Sequence, residues 1–153
     1  MRKLGISIAA LGLAAAGLVV PATAAQASAS GTASNHCNDI WPGRNGYVYA
    51  YDSTYCYGKL GGTAGNDPDW NKAGGGFENA SDKASSVLNS GYSGGNDIVK
   101  FYYLANYGGG YGCVSAGESF VDNLARNTLT NGSNANNNIR SHKWVSSCSN
   151  LMH

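Results

Sequence analysis

The segment from Lys100 to Val114 constrains the fold of this chain more than any other stretch. It begins with Phe101-Tyr102-Tyr103, aromatic residues typical of a half-buried β-strand. After Asn106 it enters residues 107–112, which hold four glycines, and glycine adopts positive φ angles at little cost. A hairpin that folds over its own sheet needs such a glycine, with aromatic side chains to cover the bend. Because the segment ends at Cys113, we expect a hairpin whose far end is held covalently.

The N-terminus has the pattern of an export signal. Arg2 and Lys3 form a basic start, residues 4–20 are apolar, and small residues around Ala27 offer a cleavage site. A membrane anchor is the alternative, but the apolar run is short for a span. We therefore expect a secreted, extracellular protein with three segments: a signal peptide at residues 1–27, a flexible lead-in at 28–36 and a single domain at 37–153.

The charge balance narrows the classes of partner. The chain has ten Lys and Arg against nine Asp and Glu, and loss of Arg2 and Lys3 with the signal peptide would leave eight basic residues. The mature protein would be near neutral, with its basic residues scattered, whereas nucleic acids and anionic membranes require clustered Lys and Arg. We expect neither partner, and a monomer.

Nothing in the sequence indicates catalysis. The three histidines and the two glutamates, Glu78 and Glu118, are spread along the chain without the spacing of a general acid–base pair. The sequence also has no phosphate-binding glycine motif. We therefore expect a protein that is not an enzyme and needs no cofactor.

Four cysteines, Cys37, Cys56, Cys113 and Cys148, follow the predicted signal peptide. An even number in an exported chain indicates two disulfides, and three pairings are possible. We favour Cys37–Cys56 with Cys113–Cys148, because each bond then closes one half of the chain. Each would contribute about 3–4 kcal/mol in the loop-entropy model. A zinc site is the rival interpretation, but no Cys-x-x-Cys spacing is present.

The two halves of the chain repeat one scheme. Residues 46–51 alternate aromatic and small side chains, and Tyr55-Cys56-Tyr57-Gly58 again ends on glycine. Residues 37–90 and 98–150 therefore look like two diverged copies of one β unit. Short strands with glycine-rich turns predict an all-β sandwich or barrel. Most aromatic side chains should be buried, with Trp70 the one expected outside.

The hairpin motifs resemble a known family. Tyr102, Tyr107 and Gly109 have the aromatic-and-glycine spacing of βγ-crystallin Greek keys, and Tyr51, Cys56 and Gly58 occupy the same places in the first half. Ser85 and Ser141 match the serine that pins each folded hairpin. With the signal peptide and two disulfides, the chain resembles the secreted peptidase inhibitors that include the Streptomyces metalloproteinase inhibitor. The resemblance implies a βγ-crystallin-like sandwich of two Greek keys, with a secreted thermolysin-like zinc metalloprotease as partner.

The same resemblance implies a reactive bond between Cys113 and Val114. A thermolysin-like enzyme prefers an apolar residue after the scissile bond, which Val114 would supply. A disulfide at Cys113 would hold the loop in its bound shape and so reduce the ordering cost of binding. The alternative is a strand in which Cys113 is only a structural crosslink.

A calcium-stabilised binding or antimicrobial module is the rival class of function. Asp82 with Ser85, and Asn137 with Ser141, resemble the calcium-binding sequence of some βγ-crystallins, and oxygen-rich turns suit a hard cation. Ser81 and His142 depart from that pattern. The alternative is that the serines only pin their own hairpins.

Overall fold

The computed structural model describes residues 34–153, so the predicted signal peptide lies outside the described residues. The elements are α1 (His36–Ile40), β1 (Tyr47–Tyr51), β2 (Lys59–Thr63), β3 (Ser86–Ser90), β4 (Ile98–Leu104), β5 (Gly108–Val114), β6 (Phe120–Val121) and β7 (Ser141–Val145), with short 3₁₀ turns at Thr54–Cys56 and Leu124–Arg126. Asn35 caps α1 by accepting a hydrogen bond from Cys37 N. In this part of the chain, no helix is long and apolar enough to cross a bilayer.

The strands form two antiparallel sheets, and the all-β prediction is confirmed. Sheet A has the order β2-β1-β3-β6, and sheet B has the order β5-β4-β7. Strands β1–β3 come from the first half of the chain and β4–β7 from the second. The duplicated scheme in the sequence thus corresponds to one sheet for each half.

Each half also lends a strand segment to the sheet of the other. β6, from the second half, pairs with β3 of sheet A, where Val121 lies opposite Val87. In the reverse direction, Asp67 of the first half forms an antiparallel bridge to His142 in β7 of sheet B. The fold therefore consists of two Greek keys. The third strand segment of each key pairs with the sheet of the other key.

The core lies between the sheets and is centred on aromatic side chains. Trp70 stacks on Phe77 with ring centroids 4.4 Å apart, and Phe101 meets Trp70 edge-on at 6.0 Å. The prediction that Trp70 lies outside is wrong, since it is fully buried. The cause is Asp67, whose carboxylate accepts hydrogen bonds from Asp69 N and Phe77 N and so turns the loop inward.

Serine hydroxyls pin both folded hairpins. In the second half, Ser141 Oγ donates to the Leu104 carbonyl at 2.7 Å and accepts from Tyr107 N at 3.1 Å. In the first half, Ser86 Oγ donates to the Ser53 carbonyl at 2.7 Å and accepts from Cys56 N at 3.0 Å. Ser141 thus has the expected role, whereas the choice of Ser85 was wrong by one residue.

The two pinned hairpins have the same backbone conformation. In each, two consecutive non-glycine residues have positive φ and a glycine with positive φ follows two positions later. These residues are Tyr55 (φ 58°), Cys56 (62°) and Gly58 (69°) in the first half, and Asn106 (56°), Tyr107 (61°) and Gly109 (72°) in the second. Such a φ is costly for tyrosine and cysteine, so the surrounding contacts must impose it.

Two disulfides close the halves separately. Cys37–Cys56 joins α1 to the first folded hairpin, with Cα atoms 5.1 Å apart. Cys113–Cys148 joins β5 to the segment after β7, with Cα atoms 6.5 Å apart. These are the pairs favoured from the sequence, and neither bond links the two halves.

Candidate functional site

The Cys113–Val114 peptide bond lies in the interior. Both side chains are fully buried in β5, opposite Lys100 and Val99 of β4. On the other edge, Cys113 N donates to the Asn150 carbonyl at 2.9 Å and Met152 N donates to the Cys113 carbonyl at 2.8 Å. The prediction that this bond forms an exposed reactive loop is therefore wrong. Cys113 is a strand residue and a structural crosslink.

The chain reaches the surface immediately after this bond, in residues 115–119, which we term the contact loop. Its entry is anchored because Asn89 Nδ2 donates to the Val114 carbonyl at 3.0 Å. Its exit is anchored by the same residue, since Asn89 N donates to the Ser119 carbonyl at 2.8 Å. Inside the loop, Glu118 N donates to Ser115 Oγ at 3.3 Å. One buried asparagine thus holds both ends of the loop.

Arg44 fixes the middle of the contact loop. Its Nη2 donates to the Ala116 carbonyl, and its Nη1 donates to the carbonyls of Asn89 at 3.2 Å and Gly91 at 3.4 Å. The guanidinium also lies over the Trp41 ring, 5.5 Å from its centroid. Sequence reasoning missed Arg44 and Asn89, because these contacts join positions far apart in the chain.

The contact loop presents one carboxylate, that of Glu118. Its side chain is 40% exposed, and Oε2 lies 3.7 Å from His153 Nδ1. A contact this long and exposed contributes little to stability, so the carboxylate is free to take another partner. A rigid loop with an available carboxylate can serve as a ligand for a metal in another protein.

The two predicted calcium turns lie side by side. Asp82 (φ 58°) and Asn137 (φ 55°) occupy equivalent places. Asp82 N donates to the Ile139 carbonyl at 3.0 Å, and Asn137 N donates to the Ala84 carbonyl at 2.9 Å. The duplicated halves therefore contact each other here through a reciprocal pair of hydrogen bonds.

The side chains at these turns do not fit calcium. Arg140 Nε donates to Asp82 Oδ2 at 2.8 Å, so the guanidinium already neutralises this carboxylate. The other turn offers only the neutral oxygens of Ser85 and Asn137, which are 3.5 Å apart. Asp82 Oδ1 is buried and accepts no hydrogen bond from the described residues. Taken by itself, this unpaired oxygen would suit a cation. However, Ca²⁺ takes six to eight oxygens and favours free carboxylates.

The structure also corrects the predicted calcium pattern. Because Ser86 and Ser141 are the equivalent pinning serines, Ser141 is occupied in its hairpin rather than at the turn. The departure in the second copy is then Arg140, which occupies the place that Ser85 has in the first copy, and not His142. Among the described residues, no group of three or more His, Cys, Asp or Glu side chains could hold a metal.

We expect Arg140→Ser to create a calcium response that the natural protein lacks. The change frees the Asp82 carboxylate and places a hydroxyl where the first copy has Ser85. In calorimetry, calcium at about a hundredfold excess over its dissociation constant should add about 2.7 kcal/mol to the variant's stability. The wild-type midpoint should not move. Arg126→Ser is the matched control, since it removes an exposed ion pair with Asp122. A calcium-induced rise in the wild type would contradict the assignment.

His142 is a polar residue that is fully buried. Its Nδ1 accepts a hydrogen bond from Trp70 Nε1 at 2.9 Å, and its Nε2 lies 3.1 Å from the Gly65 carbonyl, to which it can donate. Burial lowers the pKa of His142 from 6.5 to about 4, against the opposing effect of the Gly65 hydrogen bond. Its partners are a core indole and a backbone carbonyl, which makes its role structural.

Comparisons with known proteins find similarity to solved structures but none to a family model or a curated protein. No family model matches the sequence, and no curated protein matches it. Both hairpins carry the pinning serine that the sequence resemblance required. The chain has a βγ-crystallin-like fold. It is similar to a solved structure from work on the evolution of the eye-lens βγ-crystallin domain fold, with 23% identity and a TM-score of 0.49 over 71% of this chain and 91% of that one. It is also similar to a βγ-crystallin from an archaeon, with 24% identity and a TM-score of 0.47 over 65% of this chain and 96% of that one.

Proposed function

We propose that this βγ-crystallin domain is an exported, monomeric inhibitor of a secreted zinc metalloprotease. The contact loop, residues 115–119, enters the enzyme's cleft in place of the buried Cys113–Val114 bond. The observation that carries the proposal is the anchoring of this loop by Asn89 and Arg44. The two disulfides favour an oxidising compartment outside the cytoplasm.

Anchoring matters because an inhibitor must bind like a substrate without reacting like one. A loop whose carbonyls are already hydrogen-bonded loses little conformational entropy on binding. The same bonds resist the shift into the geometry that cleavage requires, and small misplacements slow catalysis strongly. Ser115, Ala116 and Gly117 have small side chains, which lets the backbone approach a narrow cleft closely.

Glu118 supplies the group that meets the enzyme's metal. A catalytic zinc keeps one coordination position open for water or substrate, and carboxylates bind zinc at about 2.0–2.2 Å. The Glu118 side chain is exposed and held only by the weak contact with His153. Its carboxylate displaces the zinc-bound water and thereby removes the nucleophile of the protease.

The chain offers a matched pair of variants for this proposal. Glu118→Gln removes the charge from the contact loop, while Glu78→Gln removes the other glutamate, which lies in an exposed loop of the first half. Against a thermolysin-like enzyme, Glu118→Gln should raise the inhibition constant by about tenfold, equivalent to about 1.4 kcal/mol. Glu78→Gln should leave it unchanged, and both should keep the wild-type unfolding midpoint.

The two possible failures are distinguishable. If the wild-type protein does not inhibit the enzyme, the proposed function is wrong. If the wild type inhibits and Glu118→Gln inhibits equally well, the domain is an inhibitor but Glu118 does not reach the zinc.

A further inference from the structure

The outer face of sheet B carries an unusual arrangement of lysine and tyrosine. Lys100 in β4 lies directly opposite Lys143 in β7, and Tyr102 lies directly opposite Tyr111 in β5. Because residues two apart on a strand share a face, all four side chains lie on one side of the sheet. Tyr107 in the adjoining hairpin completes the group. We term these five residues the lysine–tyrosine face.

The ammonium groups lie against aromatic rings. Lys100 Nζ is 3.4 Å from the Tyr111 ring centroid and 5.5 Å from that of Tyr102. Lys143 Nζ is 5.7 Å from the Tyr102 centroid and 5.4 Å from that of Tyr107. Each ammonium group thus makes cation–π contacts with two tyrosine rings.

The two positive charges of this face lie at directly opposed positions of β4 and β7. Neither lysine takes part in any of the ion pairs that join the described residues. Like charges directly opposite each other in a sheet are destabilising. An arrangement that keeps two such lysines at adjacent strand positions is complementary to an anion.

The duplication provides an internal comparison for this face. In sheet A, Tyr49 and Tyr51 occupy the places that Lys100 and Tyr102 have in sheet B. There α1 covers the face, because Ile40 and Trp41 pack against the buried cluster that contains Tyr51 and Leu88. The other apolar cluster of the described residues lies between the sheets. On sheet B no helix of the described residues covers the outer face. The Cys113–Cys148 disulfide and residues 147–149 lie over part of it, so that Tyr102 is buried while both lysines, Tyr107 and Tyr111 stay half-buried.

We propose that the lysine–tyrosine face binds an acidic saccharide whose rings carry carboxylates. The two ammonium groups pair with carboxylates of the sugar, and the half-buried rings of Tyr107 and Tyr111 contact its apolar surface, while Tyr102 stays buried beneath them. A recess of about 410 Å³ beside Lys100 and Tyr111, bounded by residues 147–149, is large enough for one sugar ring. The Tyr111 hydroxyl and Ser149 Oγ, 3.0 Å apart, offer hydrogen bonds to its hydroxyls.

The number of charges favours a saccharide over nucleic acid. Proteins that bind duplex DNA through its backbone make about six to ten phosphate contacts. Two lysines on one face supply far fewer. They match a chain with one charge on each sugar, in which neutral ring faces separate the carboxylates.

The test is titration calorimetry at low salt with a galacturonic acid hexamer, with an uncharged glucose hexamer as the control ligand. The wild type should bind the acidic hexamer and not the neutral one. Lys100→Gln with Lys143→Gln should weaken binding by about tenfold or more. Lys59→Gln is the matched control, because Lys59 also lies over a tyrosine, 4.6 Å from the Tyr49 centroid, but on sheet A.

Several outcomes would overturn the proposal. They are an absence of binding to the acidic hexamer, equal binding of the neutral hexamer, or an equal loss of affinity in Lys59→Gln. Tighter binding of a single-stranded oligonucleotide would reassign the face to nucleic acid. The double variant should keep the wild-type unfolding midpoint and its inhibition of a thermolysin-like enzyme, so this result is independent of the contact loop.

Discussion

Trp70→Ala is expected to leave the protein unfolded or barely stable. Trp70 is fully buried and stacks on Phe77 at 4.4 Å. Truncation of a buried Trp costs about 3–5 kcal/mol. Loss of the indole N–H also leaves His142 Nδ1 buried without its donor, which costs about 1–3 kcal/mol more. The sum is comparable to the total stability of a small domain, about 5–15 kcal/mol.

Chemical denaturation of three proteins checks this expectation. Tyr92→Ala removes an aromatic side chain that is 66% exposed, and it should change the stability by no more than about 0.5 kcal/mol. Trp70→Phe keeps part of the packing but lacks the N–H donor, so its stability should fall between the other two. If Trp70→Ala is as stable as Tyr92→Ala, Trp70 is not the centre of the core.

The stability of the protein should fall steeply as the pH drops from about 6.5 to about 4 because of His142. Burial holds the folded-state pKa of His142 at about 4, below the ordinary value of 6.5. Between these values the unfolded chain binds a proton that the native protein does not, so acid favours unfolding. The contribution of neutral His142 to the free energy of unfolding is fully present above pH 6.5, and it is lost as the pH falls. At 1.36 kcal/mol per pKa unit, the full loss is about 3 kcal/mol.

Carboxylates also respond to acid, so a variant must isolate the contribution of histidine. His142→Gln cannot gain the proton, although it should be less stable at neutral pH. Between pH 7 and pH 4.5, the wild type should lose about 2 kcal/mol more than this variant in urea unfolding. Parallel stability curves for the two proteins would show that His142 is not buried in its neutral form.

The hairpins were predictable from sequence because their determinants are local. A glycine with positive φ and flanking aromatic residues recur at the same spacing around Gly58 and Gly109. The pinning serine of the first half was harder to identify, because Ser85 and Ser86 are adjacent. Neighbouring strand residues point to opposite faces, so a shift of one residue exchanges the pinning serine for one at the turn.

The site was less predictable because it depends on distant contacts. The burial of Val114 follows from pairing with the C-terminal segment around Met152, which has no strand periodicity of its own. Trp70 lies between polar residues and resembles a surface residue until Asp67 turns its loop inward. Arg44 carries no motif, and only the folded chain brings it to the contact loop.

Because the halves exchange strand segments, the order of synthesis determines when each sheet can be completed. Sheet A lacks its fourth strand, β6, until Val121 has left the ribosome. The bridge between Asp67 and His142 cannot form until His142 has been synthesised. A nascent chain that stops in the linker at residues 91–97 therefore holds a sheet with an open edge, not a finished half-domain. Although each disulfide lies within one half, neither half supplies all the strand pairing of its own sheet. A gene truncated at that linker would encode a fragment prone to aggregation.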